Sequence, residues 1–141
     1  MILSTRGRYG LKMMLELALN FGKGAMPLKD IANKQLLSDS YLEQIVSPLR
    51  KNQLVNSIRG AQGGYELARD PEEITVGEIL RILEGPLTPS DCVSEEDPEC
   101  DRADNCATRI IWEKITEGIN SVIDSRTLQD MINDYHRLNE K

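Results

Sequence analysis

Residues 38–51, Ser-Asp-Ser-Tyr-Leu-Glu-Gln-Ile-Val-Ser-Pro-Leu-Arg-Lys, constrain the fold more than any other stretch of the chain. Leu42, Ile45, Val46 and Leu49 recur at three- and four-residue steps, the period of one buried helix face. Ser40 followed by Glu43 has capping-box spacing, which predicts a helix start between Ser38 and Ser40. The opposite face carries Ser40, Tyr41, Glu43, Gln44 and Arg50, side chains able to hydrogen-bond base edges or phosphates. Pro48 predicts a distortion or a 3₁₀ turn near the helix end. Upstream, Leu28 to Lys34 reads as a short amphipathic helix with Ile31 and Ala32 inward, linked through Gln35-Leu36-Leu37. Downstream, Val55 to Arg59 and Tyr65 to Ala68 read as two short strands. Gly60-Ala61-Gln62-Gly63-Gly64 between them supplies the freedom of a tight hairpin tip. Helix, turn, helix and glycine-rich hairpin is the order of a winged helix-turn-helix DNA reader. A helical hairpin beside an unrelated β-ribbon is the plainer alternative.

The net charge of −6 looks wrong for nucleic acid until it is divided along the chain. Residues 1–69 hold ten Lys/Arg against five Asp/Glu, a net of +5, and residues 70–141 hold seven against eighteen, a net of −11. Phosphate contacts need only local positive charge, and the basic half is the half with the helix-turn-helix pattern. A chain of 141 residues makes one domain, or one domain with an appendage. Met1 to Thr5 is followed by Arg6 with no apolar stretch of signal-peptide length, and no apolar run approaches the ~20 residues of a membrane span. A cytoplasmic protein without a membrane partner is the expectation.

Ser4 or Thr5 can cap a first helix from about Arg6 to Phe21, ended by Gly22-Lys-Gly24, with Tyr9, Leu11, Met14, Leu15, Ala18 and Leu19 as its apolar set. Arg6, Arg8 and Lys12 near its start are within reach of a phosphate backbone or are ordinary solvated charges. Thr75-Val-Gly-Glu78 has capping-box spacing for a helix burying Ile79, Leu80, Ile82 and Leu83, stopped by Gly85-Pro86. Leu87 to Asn105 has no usable period and reads as a loop. From Thr108 to Asp124, Trp112, Ile115, Ile119 and Val122 form about two heptads of apolar seam, flanked by Ile111 and Ile123. That seam either docks on the chain's own core or forms a dimer interface. A dimer suits a DNA reader of this size, which gains specificity from paired half-sites. Thr127 to Asp130 can cap a last helix with Leu128, Met131, Ile132 and Tyr135.

Cys92, Cys100 and Cys106 all fall between residues 86 and 107, spaced C-x₇-C-x₅-C. An odd count in a cytosolic chain argues against a disulfide framework, and the spacing is not that of C-x₂-C zinc modules. Three thiolates suit a soft metal or an iron-sulfur cluster, while free thiols and a redox-active pair stay open. Asp91, Glu95, Glu96, Asp97, Glu99, Asp101 and Asp104 against Arg102 disfavour thiolates. With His136 distant in sequence, no base is evident for any thiol, so an enzyme is not expected.

Leu3-Ser-Thr-Arg-Gly-Arg-Tyr-Gly10, Tyr41-Leu-Glu-Gln44, Leu49-Arg-Lys51, Leu54-Val55, Ser57-Ile-Arg-Gly60, Gly63-Gly-Tyr65 and Leu83-Glu-Gly85 resemble the IscR-type family of bacterial transcriptional regulators. The resemblance runs from about residue 2 to residue 134. It implies a mainly α fold with a small β-wing: a winged helix-turn-helix domain over residues 1–85, a cysteine-bearing loop over 86–107, and a dimerisation helix with a terminal helix over 108–141. It implies a homodimer on a double-stranded DNA operator, with Ser40, Glu43 and Gln44 facing the major groove and Arg59 and Gly60 the minor groove. The full candidate DNA-binding set adds Ser38, Tyr41, Arg50 and Lys51. By the same resemblance Cys92, Cys100 and Cys106 would hold an iron-sulfur cluster, of the [2Fe-2S] type. The chain departs from the family at the fourth ligand. Arg109 stands where the cluster regulator has histidine, and Arg8 where the nitric-oxide sensor NsrR offers a carboxylate, leaving Asp91, Asp104, Glu113 or an exogenous thiol. A relative without a cluster, CymR, is controlled by a metabolic enzyme bound as a protein partner. This gives the alternative of a partner-controlled repressor of sulfur metabolism.

Overall fold

The computed structural model describes residues 3–89 and 106–140. Helix α1, Thr5–Leu19, runs through the middle of the molecule and packs against the next two helices, the wing, and later helices of the chain. Its buried face is Gly7, Gly10, Met13, Met14, Leu17 and Ala18. The expected set is therefore rotated, with Tyr9, Leu11, Leu15 and Leu19 only half-buried. The two glycines are the reason. A Cβ on Gly7 would lie 2.2 Å from Glu84 Oε1, and one on Gly10 2.1 Å from Leu83 Cδ1, so another helix lies directly against the backbone here. Helix α1 ends where Asn20 Nδ2 donates to the Gly24 carbonyl at 3.0 Å.

Helix α2, Leu28–Gln35, buries Ile31 and Ala32 as expected. The turn after it passes through Leu36 at φ 55°, a left-handed conformation that glycine adopts more readily than leucine. The Leu37 amide closes the turn on the Ala32 carbonyl at 3.0 Å. Helix α3, Asp39–Lys51, then buries Leu42, Ile45, Val46 and Leu49, each side chain worth roughly 1.5–3 kcal/mol of transfer free energy. Ser38, not Ser40, is its N-cap: Ser38 Oγ accepts from the Tyr41 amide at 3.2 Å. The expected capping box between Ser40 and Glu43 is thus absent, because the helix starts two residues earlier than that box requires. Pro48 does not break the helix, which continues to Lys51. Only one backbone bond is lost at a proline, and the flanking buried residues hold both sides of it.

Strands β1 (Val55–Ile58) and β2 (Gly64–Leu67) pair antiparallel in the register Val55↔Leu67 to Ile58↔Gly64. Met26 and Tyr65 exchange two backbone bonds of 2.8 Å, so the hairpin is pinned to the chain entering α2. Gly64, at φ 148°, is needed for that approach, since its Cβ would sit 2.2 Å from the Met26 carbonyl oxygen.

A 3₁₀ turn (Pro71–Glu73) leads to α4, Val76–Glu84, opened by the Thr75/Glu78 capping box and ended at Gly85. Ile79, Leu80 and Leu83 are buried as expected, together with Val76 and Gly77, whereas Ile82 is only partly buried. Helix α5, Ala107–Ser125, has no buried residue, and α6, Leu128–Asn139, opens with a Thr127/Asp130 capping box and buries Leu128. Backbone bonds of 2.9 Å from Leu128 to Ile74 and from Val76 to Arg126 tie the starts of α4 and α6 together. Arg81 adds a two-pronged contact to Asp124 at 2.6 and 2.8 Å and reaches Asn120 Oδ1 at 2.9 Å, fixing α5 against α4. The Arg81 hydrogen bond holds the Asp124 carboxyl below its ordinary range.

Candidate nucleic-acid interface

Once the core takes Leu42, Ile45, Val46 and Leu49, helical geometry turns Ser40, Gln44, Ser47 and Lys51 to the opposite side, at steps of four, three and four. These four, with Arg6, Glu43 and Pro48, line an open concavity of about 650 Å³. Ser47 is a member that the sequence reading passes over, although its spacing from Ser40 and Gln44 is a helical spacing. Arg6 joins from α1. Asp39, Glu43 and Arg50 form a neighbouring row along one edge of α3. Because Glu43 has no capping role, its exposed carboxylate is available at the concavity.

Ser38 and Tyr41 stand apart from this row. The Ser38 hydroxyl is engaged in the cap, with Ser40 Oγ 3.5 Å away. Tyr41 is half-buried, donates from Oη to Thr5 Oγ1 at 3.1 Å, and meets the Tyr9 ring edge-on at 6.2 Å. The structure therefore places Tyr41 at the seam of α1 and α3. Arg59 and Gly60 are exposed at the wing tip. Gly60 lies at φ 109°, and its carbonyl accepts from the Gly63 amide at 3.0 Å.

Of the three cysteines, Cys92 and Cys100 lie outside the described residues, as do Asp91 and Asp104. Cys106 is half-buried at the N-cap of α5, with Sγ 3.0 Å from Thr108 Oγ1. A helix N-terminus favours anionic groups, so a thiolate ligand fits there. Arg109 and Glu113 pair at 3.2 Å, which occupies one of the fourth-ligand candidates. Among the described residues no group of three or more His, Cys, Asp or Glu is placed to hold a metal.

The seam expected on α5 divides in two. Ile119 and Ile123 pack on Val76, Leu80 and Leu87 of their own chain. Ile111, Ile115 and Val122 are 52%, 40% and 64% exposed and share a stripe with Gly118. Trp112, half-buried, lies on the same side of the helix as Ile119 and Ile123.

A helix-turn-helix whose second helix presents a polar row, beside a pinned β-hairpin, defines a winged helix-turn-helix DNA-binding protein. A family model described as Rrf2, iron-dependent transcriptional regulator, matches residues 3–134. The chain is 48% identical over 131 residues to the HTH-type transcriptional regulator CymR of Bacillus subtilis (strain 168), covering 93% of this chain and 89% of that one. It is 38% identical over 132 residues to the HTH-type transcriptional regulator IscR of Sodalis glossinidius, covering 94% and 79%. The solved structure of T. potens IscR superposes with a TM-score of 0.83 at 44% identity, covering 100% of this chain and 93% of that one. That of CymR, described as the global cysteine regulator of B. subtilis, gives 0.79 at 47%, covering 93% and 95%. The chain belongs to the Rrf2 family of transcriptional regulators, and it is a DNA-binding regulator rather than an enzyme. No helix among the described residues is long and apolar enough to cross a membrane.

Proposed function

We propose that this chain is a cytoplasmic, homodimeric operator-binding regulator whose affinity for DNA is set by an iron-sulfur cluster on Cys92, Cys100 and Cys106. The outward row Ser40-Gln44-Ser47-Lys51 carries the DNA reading, because it combines a base-reading amide with hydroxyls and a cation on one face of a rigid helix. Ser40, Glu43 and Gln44 read the major groove, Lys51, Arg50 and Arg6 meet phosphates, and Arg59 with Gly60 enters the minor groove. Ser38 and Tyr41 act behind them, by capping and seating α3. The exposed stripe Ile111-Ile115-Val122 pairs with the same stripe of a second copy, setting two reading helices at half-site spacing.

Three observations support cluster control. These are the iron-dependent description of the family, the three cysteines between residues 86 and 107, and the position of Cys106 at the head of the dimerisation helix. A bound [2Fe-2S] cluster would supply a tether whose presence depends on iron and oxidation state. Such a tether shifts DNA affinity only by its differential free energy between competent and incompetent dimers, ordinarily about 1–3 kcal/mol. The test is anaerobic purification with iron analysis and a visible spectrum, followed by operator titration of wild type against Cys100→Ala. A cluster-bearing wild type that binds differently from the variant is expected. Identical curves at every operator, with iron present, defeat cluster control.

The 48% identity to CymR supports a second reading, a repressor of cysteine or sulfur metabolism governed by a protein partner, without a cluster. Colourless, iron-free protein from anaerobic cells would favour it.

A further inference from the structure

Helix α1 begins with an electrostatic mismatch. Its first turns carry Arg6 and Arg8 and no acid, although the N-terminus of a helix is its positive end. Its N-cap Ser4 makes no side-chain bond to its own helix. The missing acceptor comes from α4: Glu84 Oε1 accepts from the Ser4 amide at 3.0 Å, the Ser4 hydroxyl at 2.5 Å and the Gly7 amide at 2.9 Å. Gly7 has no Cβ where one would stand 2.2 Å from that oxygen, so the contact needs this glycine as well as this glutamate. On the other side of the same turn, Thr5 Oγ1 accepts from Tyr41 of α3. Between these two anchors stands Arg6, exposed and lining the concavity with Ser40, Gln44, Ser47 and Lys51.

We infer that Glu84 is a positioning residue for DNA binding: it caps α1 from outside and holds Arg6 at the phosphate-facing edge of the reading helix. The inference rests on the DNA-facing role proposed for that concavity. Glu84 touches no DNA and acts through the backbone of residues 4–7. It is also the last residue of α4 before Gly85, where the chain leaves for the cysteine-bearing segment. One carboxylate thus ties the start of α1 to the end of α4.

The test uses full-length protein and a random-sequence duplex, because a phosphate contact does not depend on operator sequence. Loss of one phosphate contact lowers the slope of log affinity against log salt by about 0.9, hence by about 1.8 for a dimer that loses it on both protomers. Arg6→Ala should show that loss, and Glu84→Ala should show it too, each with a fall of roughly fivefold to tenfold in affinity per protomer at moderate salt. The double variant should bind no worse than Arg6→Ala alone, since both remove one contact. Glu84→Gln keeps an acceptor oxygen and should recover most of the slope. Should Glu84→Ala not fold, Gly7→Ala, which pushes the carboxylate aside, carries the same comparison. A Glu84 or Gly7 variant with an unchanged slope, or losses that add to those of Arg6→Ala, would overturn the inference. If instead Arg6→Ala and Lys51→Ala both leave the slope unchanged, the proposed DNA face itself fails.

Discussion

Helices α3 and α5 present outward rows of the same geometry and opposite chemistry. Ser40, Gln44, Ser47 and Lys51 on α3, and Ile111, Ile115, Gly118 and Val122 on α5, are both spaced four, three and four. Behind its polar row, α3 buries four large apolar side chains, while α5 buries none and rests on its chain through Ile119, Ile123 and the Arg81 contact to Asp124 and Asn120. A helix with a filled core behind it can afford a polar face toward a charged ligand. A helix with a thin footing and an apolar outer stripe gains most of its burial from another molecule. In the function proposed above, the same spacing serves recognition in one place and association in the other.

The largest expected effect lies on α5. Ile115→Glu puts an uncompensated charge in the middle of the stripe, at a cost of roughly 3–5 kcal/mol in the dimer. Sedimentation should show monomer, with operator binding lost while the circular dichroism of the helices persists. A wild type that is itself monomeric at micromolar concentration would break the comparison.

On α3 the effects are smaller and separate by chemistry. Gln44→Ala should cost about 1–3 kcal/mol on operator and little on random duplex. Ser47→Ala, lying between Gln44 and Lys51, should lose no more than about 1 kcal/mol, the ordinary worth of a neutral hydrogen bond. Lys51→Ala should weaken every duplex alike and lower the salt slope by about 1 per protomer. Equal losses for Gln44→Ala on operator and random duplex would remove base reading from this row.

The smallest effect tests the footing of α5. Arg81 holds the Asp124 carboxyl below its ordinary range, so this contact contributes fully above the usual carboxylate pKa of about 4. The contribution fades as pH falls through the depressed folded-state value. Both side chains are more than a third exposed, and such pairs are worth at most about 1 kcal/mol. Urea unfolding of Asp124→Asn should therefore differ slightly from wild type at pH 7 and coincide with it near pH 2. A difference that grows on acidification would contradict this assignment.

Local order was legible because it depends on local spacing. The inner face of α3, the glycine-rich wing and the two capping boxes at Thr75 and Thr127 follow from periods and caps within a few residues. The row opposite the core follows from the same period, although Ser47 is not among the residues expected there. The sequence by itself therefore determined a helix-turn-helix with a wing, a polar helix face in a basic half, and three cysteines in one segment. Long-range contacts decided the rest. Nothing near Gly7 or Gly10 announces that Leu83 and Glu84 lie against them, and this close approach turns α1 so that Met13 and Leu17 go inward. Nothing in the period of α3 announces that the Tyr41 hydroxyl donates to Thr5, 36 positions away. Glu43 was released from capping by Ser38. On α5 a single apolar period divides into a packed and an exposed side, and only the position of α4 separates Ile119 from Ile115. Periodicity records which residues avoid water, whereas tertiary packing selects the surface against which each one does so.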